Sequence, residues 1–376
     1  MKKVHIALVG GQPVPVYIGI KDDEQAGQIV LVCSEDTSEE ADRLQAQCKG
    51  KMVRIVKCKP TDLGDISLCA GKLKNELEGC ELTFNLTSGT KLWALTFYQT
   101  FVGLPNVKII YVDQTNTIIN IKTQESHKGE IDPFVRLALY GARLSSWKRL
   151  SDYTEADFRA IEQIQRIRKT NVPDFAELTS IKDNDDKEAP RNTRNGSSLV
   201  FSYADRKADI KLFSFGKNRY MIRKSIQSEH LADILFNTAW FELKVAKEIS
   251  KNENVKNVWL NCKFSYAKGN PKNEIDIIAE LPDRLLFVEC KTKIFDITDL
   301  DKFKSAVKNF SGTSSNTIFV TLDKPTKNRK GHFDNAMEKC KDNGIATFNF
   351  ANWQDNPKGF PSLSKIIDSL VSNQNK

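Results

Sequence analysis

Residues 273–293 read NEIDIIAELPDRLLFVECKTK. Two apolar runs flank Pro282-Asp283, a turn-forming pair, and the stretch is expected to fold as a β-hairpin. Asp276 falls on the first strand, Glu289 and Lys291 on the second. Side chains alternate faces along a strand, so Glu289 and Lys291 share a face. If Leu281 pairs with Arg284 across the turn, the register sets Asp276 opposite Glu289 and Glu274 opposite Lys291. Opposed side chains have Cβ atoms roughly 4.5–5.5 Å apart. Two carboxylates that close repel unless a cation lies between them. Mg²⁺ and Mn²⁺ prefer such oxygen ligands, and Lys291 would then stand beside the ion, placed to orient water or stabilise a phosphoryl transition state. The plain alternative is an exposed hairpin with alternating charges. Ile275, Ile277, Ile278, Leu285, Leu286, Phe287 and Val288 argue against it, because charges set among so many apolar residues need a partner.

Asp276 followed by Glu289-Cys290-Lys291 resembles the core motif of the PD-(D/E)xK nuclease superfamily, with Ile275-Asp276 in place of Pro-Asp. The resemblance implies a restriction-endonuclease-like α/β domain. It implies Asp276 and Glu289 as ligands of Mg²⁺ or Mn²⁺, the Cys290 carbonyl as a third ligand, and Lys291 as the residue that helps water attack a phosphodiester. Glu274 would bond Lys291 or join the metal. A helix is expected from about 228 to 250. In this superfamily a glutamate on the preceding helix often completes the metal site, which makes Glu242 the candidate; a surface partnership with Lys244 or Lys247 is an open alternative. Strands are expected at 258–266, 317–322 and 346–350, with helices at 303–310, 333–341 and 366–370. Two basic stretches, Lys268-Gly269 to Lys272 and Lys324, Lys327, Arg329, Lys330, are candidate phosphate contacts.

The chain has 376 residues, 40% hydrophobic and 28% charged, which is globular composition at a length that suggests two domains. The formal net charge of +8 permits a nucleic-acid or polyphosphate partner. Eight cysteines are scattered without a CxxC pair and read as buried thiols of a reducing compartment. The four histidines are isolated, which argues against a zinc site or a histidine-based nuclease. No run approaches the roughly 20 apolar residues of a membrane span, so a cytoplasmic protein without membrane contact is expected.

From residue 3 to about 113, short apolar strands (4–9, 29–33, 52–58, 82–86, 107–112) alternate with helices (37–48, 63–77, 91–101). That order implies a mostly parallel, Rossmann-like sheet covered on both faces, with 118–122 as an antiparallel edge. There is no G-x-G-x-x-G fingerprint, so a dinucleotide is not expected. In such sheets ligands bind beyond the carboxyl ends of the strands. Three loops meet there: Gly10-Gly11-Gln12-Pro13 to Pro15, Ser34 to Thr37, and Thr87-Ser88-Gly89-Thr90-Lys91. Hydroxyls, a glycine and a lysine at a helix N-terminus suit a phosphate, although Ser88 or Thr90 also reads as an ordinary helix cap.

The strand order, the loop after the first strand and Thr87-Ser88-Gly89-Thr90-Lys91-Leu92-Trp93 after the fourth resemble the CARF family, the CRISPR-associated Rossmann-fold sensors. The resemblance implies a homodimer that binds a cyclic oligoadenylate, with four adenylates the expected ring, across a two-fold axis. Lys91 would meet phosphate, and Thr87, Ser88 and Thr90 phosphate or ribose oxygens. Gln12 and the Pro13 loop would cover the ring. The expected division is a CARF domain at 1–145, a connecting module at 146–228 and a nuclease domain at 229–376. Within the module, helices are expected at 132–150 and 155–169 and short strands at 199–201, 210–213 and 219–223. Its cluster Arg166, Arg168, Lys169 reads more readily as a solvated helix face than as a nucleic-acid contact. The function these readings imply is a ring-activated, metal-dependent nuclease of type III CRISPR defence acting on single-stranded DNA or RNA. A regulator that binds nucleic acid without cutting it, and a nuclease that degrades the ring itself, are the alternatives.

Overall fold

The computed structural model describes residues 1–182, 186–215, 219–265, 271–294, 298–311, 315–323 and 330–372. The chain divides into two compact units, one centred on Met1–Leu144, the other holding Ser145–Phe264, Pro271–Ser305 and Asn316–Lys376. No described helix is long and apolar enough to cross a membrane.

The first unit runs β1 (Lys3–Leu8), α1 (Pro13–Asp22), β2 (Gln28–Cys33), α2 (Ser38–Gln47), β3 (Met52–Lys57), α3 (Leu63–Glu76), β4 (Glu81–Asn85), α4 (Lys91–Phe101), β5 (Val107–Val112), β6 (Thr117–Asn120), β7 (Ser126–Lys128) and α5 (Pro133–Leu139). The sheet order is β3-β2-β1-β4-β5-β6-β7. Its pairs are parallel from β3 to β5 and antiparallel beyond. Both faces of β1 are buried: Val4, Ile6 and Leu8 pack with Phe84, Trp93 and Phe97, while Ala7 packs on the opposite side with Val16, Ile18 and Leu31. Such two-sided burial is what near-continuous apolar strands require. Sequence reading takes 10–15 as a loop, whereas α1 begins at Pro13. Prolines 13 and 15 occupy the first turn, where a missing N–H has no helical partner to lose.

The chain continues through β8 (Arg143–Arg149), α6 (Glu155–Arg168), α7 (Val172–Thr179), β9 (Arg191–Asn192), β10 (Ser198–Ser202), β11 (Lys207–Phe213), β12 (Met221–Gln227), α8 (Leu231–Leu235), α9 (Ala239–Ile249), β13 (Val258–Ser265), β14 (Pro271–Glu280), β15 (Leu285–Lys291), α10 (Thr298–Ser311), β16 (Asn316–Thr321), α11 (Lys330–Asp342), β17 (Ala346–Asn349), α12 (Phe350–Asp355) and α13 (Leu363–Ser372). Two sheets form: a four-stranded one, β12-β11-β10-β9, and a six-stranded one, β17-β16-β15-β14-β13-β8.

The structure departs from the sequence-based expectations in three places. Residues 143–149 are an edge strand, not the end of a helix. The helix expected from 228 to 250 breaks at Asn237 and Thr238, which hold left-handed φ values of 50° and 65°. Residues 146–228 do not stand apart as a connecting module. Ile161, Ile164, Leu199, Phe201 and Ile210 share one core with Trp240, Phe241, Ile277, Leu286 and Val288. The stretches at 266–270 and 324–329, which include Lys268, Gly269, Lys324, Lys327 and Arg329, lie outside the described residues, as do 183–185.

Candidate functional site

The hairpin of β14 and β15 pairs Ile277 with Val288, Ile278 with Phe287, Ala279 with Leu286 and Glu280 with Leu285. The Leu281 amide donates to the Arg284 carbonyl at 2.9 Å, closing the turn in the expected register. One step further along this ladder, Asp276 falls beside Glu289. The Cys290 amide donates to Asp276 Oδ2 at 2.7 Å, which fixes the carboxylate at the end of the ladder. Burial and the nearby Glu289 and Glu242 carboxylates raise the pKa of Asp276 well above the usual range. Glu242 on α9 is pushed up to about 8 by burial, then by Glu274 and Glu289. Lys291 Nζ lies 2.6 Å from Glu289 Oε1 and supplies local countercharge. Three carboxylates and one lysine from α9, β14 and β15 are thus gathered into one electrostatic group.

Glu242 does not pair with its helix neighbours. Lys244 bonds Gln165 and lies over Phe350, while Lys247 meets Glu155 at 3.3 Å and lies over Phe158. Glu274 meets Lys263 at 3.8 Å rather than Lys291. Arg168 lies over Trp240 and Arg166 meets Glu162 at 3.9 Å, so both are engaged on the helix surface.

Glu242 and Asp276 line two cavities. One, of about 500 Å³, is also lined by Trp147, Lys148, Lys187, Asn261 and Lys263. The other, of about 360 Å³, is lined by Thr238, Lys291, Thr292 and Lys293. Sequence reading missed Lys148, Asn237 and Asn261 as wall residues. Asn237 borders both cavities, and its left-handed backbone has no sequence signal beyond the tolerance of asparagine for that conformation.

Among the described residues no three His, Cys, Asp or Glu side chains converge as a ready-made metal cluster. The donor chemistry nonetheless suits a hard cation. Asp276, Glu289 and Glu242 offer carboxylate oxygens whose mutual repulsion a divalent ion would relieve. At Cys290 the expected donor is the backbone carbonyl and not the thiol, whose pKa burial raises well above the usual range. The Cys290 amide donates to Asp276.

In the first unit, the loops after β1 and β4 meet at the carboxyl ends of neighbouring strands. A side chain at Gly10 would come within 2.6 Å of Ser88 Oγ and 2.9 Å of the Gly89 amide, so glycine is needed for the loops to touch. Gly89 holds φ +86°, and a Cβ there would meet Trp93 at 2.8 Å. The indole Nε1 of Trp93 donates to the Lys59 carbonyl at 2.9 Å. This loop-to-loop cleft is where an open parallel sheet binds ligands.

Residues 4–140 match the family model of the Card1 CARF domain. The first unit is a CARF domain. Within it the expected ring contacts divide into two groups. Thr90 caps α4 by accepting from the Trp93 amide at 3.2 Å and donates to the Pro60 carbonyl at 3.0 Å. Thr87 donates to Asn85 and accepts from the Val112 amide at 2.9 Å. Ser34 and Thr37 bond each other, and Thr37 also donates to the Val9 carbonyl at 3.1 Å. These hydroxyls shape the CARF cleft. Lys91, at the start of α4, is exposed and has no ion pair among the described residues, and Gly11 and Gln12 are exposed in the loop after β1.

The fold of nearly the whole chain is shared with solved structures of low identity. Can2 from Sulfobacillus thermosulfidooxidans, solved in complex with cyclic tetra-adenylate, is 17% identical; the match covers 94% of this chain and 97% of that one with a TM-score of 0.67. Protein VC1899 from Vibrio cholerae is 14% identical, with 92% and 94% covered and a TM-score of 0.65. A type III CRISPR defence DNA nuclease activated by cyclic oligoadenylate is 16% identical, with 86% of this chain and 45% of that one covered and a TM-score of 0.55. No curated protein matches the sequence.

Proposed function

We propose that the chain is a cyclic-oligoadenylate-activated, metal-dependent nuclease of type III CRISPR defence, with a PD-(D/E)xK fold, whose motif residues lie within 229–376, acting on single-stranded DNA or RNA. The observation that carries the reading is that Glu242 and Asp276 line both cavities, Lys291 lines the smaller one, and Glu289 acts on both carboxylates and pairs with Lys291 at 2.6 Å. So many carboxylates close together would destabilise a fold that did not use them. The CARF match and the fold shared with a ring-bound protein support the sensing half.

Asp276, Glu289 and Glu242 would hold Mg²⁺ or Mn²⁺, which would activate water and polarise the phosphoryl oxygen. The Cys290 amide orients Asp276. Lys291 is placed to hold a non-bridging phosphate oxygen as charge builds up there. Lys148, Lys187 and Lys263 line one cavity and Lys293 the other, and offer backbone contacts without base selection. In the CARF domain, Lys91 and Ser88, with Gly11, Gln12 and Pro13, contact a ring of four adenylates across a homodimer axis. Thr87, Thr90, Ser34, Thr37 and Gly89 set the shape of that cleft.

Cleavage of labelled single-stranded DNA and RNA, with Mn²⁺ and with or without cyclic tetra-adenylate, tests this reading. Cutting is expected only when both are present. Asp276→Ala and Lys291→Ala should each lower the rate by about 10²-fold or more. Intact metal-dependent cutting in both variants would overturn the assignment. Tight ring binding without any cutting would mean a regulator.

A further inference from the structure

The four-stranded sheet β12-β11-β10-β9 has one face in the core and one in solvent. Leu199, Phe201, Ala208, Ile210, Leu212 and Ile226 are buried in the core. The alternate residues Val200, Asp209, Lys211, Phe213, Met221 and Arg223 face outward. The antiparallel register sets Lys211 directly opposite Arg223 and Phe213 opposite Met221. Two cations directly opposed across strands destabilise a sheet. Neither Lys211 nor Arg223 forms a salt bridge among the described residues. Among the described strand residues of this face the acid is Asp209, which pairs with Lys207 at 3.1 Å and is also within the field of Arg223. Lys211 and Arg219 instead flank the Phe213 ring, at 4.7 and 4.3 Å from its centroid. Phe215 and Tyr220 beside them are 65% and 56% exposed.

We infer that this outer face is a docking platform for single-stranded nucleic acid. Cations in excess of acids, at fixed spacing, match a phosphate backbone, and exposed aromatic rings offer stacking to any base. The far end of the sheet leads toward the carboxylates. Tyr203, 51% exposed, packs on Phe201 at 4.8 Å between centroids, Phe201 packs on Phe236 at 5.6 Å, and Phe236 lines the cavity that holds Asp276. The inference rests on the nuclease reading for the purpose of the strand, and not for its binding.

The test is fluorescence anisotropy of the full chain with a short labelled single-stranded oligonucleotide in EDTA, where nothing is cut. Lys211→Glu should weaken binding about fivefold or more and lower the salt slope by about 0.7 for each phosphate that is no longer neutralised. The same change puts a glutamate opposite Arg223, so the thermal midpoint should hold or rise. A merely structural role for Lys211 gives no such opposite pair of effects. Phe215→Ala with Tyr220→Ala should weaken binding about fivefold or more with little change in salt slope. Unchanged affinity in both variants overturns the platform, whether or not the protein cuts. A change in oligomeric state on light scattering with unchanged affinity also overturns it, and makes the face a contact between copies. Weakened binding in a protein that never cleaves supports the platform and removes the nuclease reading.

Discussion

Asp157 accepts from the Thr154 amide at 2.7 Å and hydroxyl at 2.9 Å at the start of α6, and is also bonded by Ser228 and His230 just before α8. Burial alone would raise its pKa. The hydrogen bonds from Ser228, Thr154 and His230 outweigh it and hold the group down to about 2. A carboxylate depressed in the folded state adds stability that is present above its unfolded pKa of about 3.8 and lost as pH falls toward 2. Asp157→Asn should therefore cost about 2 kcal/mol at neutral pH and flatten the acid limb between about pH 4 and 2, read from thermal midpoints across pH. The two groups of CARF-cleft residues separate in the same manner. Thr90→Ala removes a helix cap and should lower stability by about 1 kcal/mol. Lys91→Ala should leave the midpoint unchanged and weaken ring binding, measured by calorimetry. Sequence alone gives no way to tell these two neighbours apart. A hydroxyl's partner depends on carbonyls thirty residues away, and Thr90 finds Pro60. Asp276 and Glu289 were legible because a tight turn and a period of two leave one register that buries the apolar face.

At the scale of elements, the break between α8 and α9 holds a β-branched residue in a left-handed conformation. Thr238 stands at φ 65° one turn before Glu242 and borders the smaller cavity. Such a conformation costs of order 1 kcal/mol or more and persists where surroundings over-determine it. Asn237 is held there by its amide on the Thr179 carbonyl at 3.0 Å and by the Ile181 amide on its side chain at 2.9 Å. Thr238→Gly should relieve the strain and raise stability by about 1 kcal/mol, while lowering turnover in the proposed nuclease by loosening Glu242. Denaturant midpoints and cleavage rates read the two effects separately. The break is invisible in sequence because Leu235, Thr238, Phe241 and Val245 follow one another at spacings of three and four across it. The strand β8 is hidden for the opposite reason: RLSSWKR is an edge with little burial, so no apolar alternation marks it.

At the scale of the whole molecule, the alternation of strand and helix in the first unit was readable, since each βαβ step is local. The sharing of one core between 146–228 and the C-terminal strands was not, because it rests on contacts far apart in sequence. Two compact units also predict a divided response to ligand. A ring that binds only the folded CARF domain, supplied at about a hundred times its Kd, should stabilise that unit by about 2.7 kcal/mol. Calorimetry should show the transition of the first unit move upward. A uniform lack of shift would mean that the cleft is not the ring site.

Of the five tryptophans, only Trp93 falls between residues 4 and 140. It is 1% exposed, stands against Gly89 behind the cleft and is tied through its indole to the Lys59 carbonyl. The protein therefore carries its own optical reporter for the proposed ring site. Subtracting the emission of a Trp93→Phe variant isolates one chromophore, whose shift in colour on adding the ring reads motion of that loop in real time, without any attached dye.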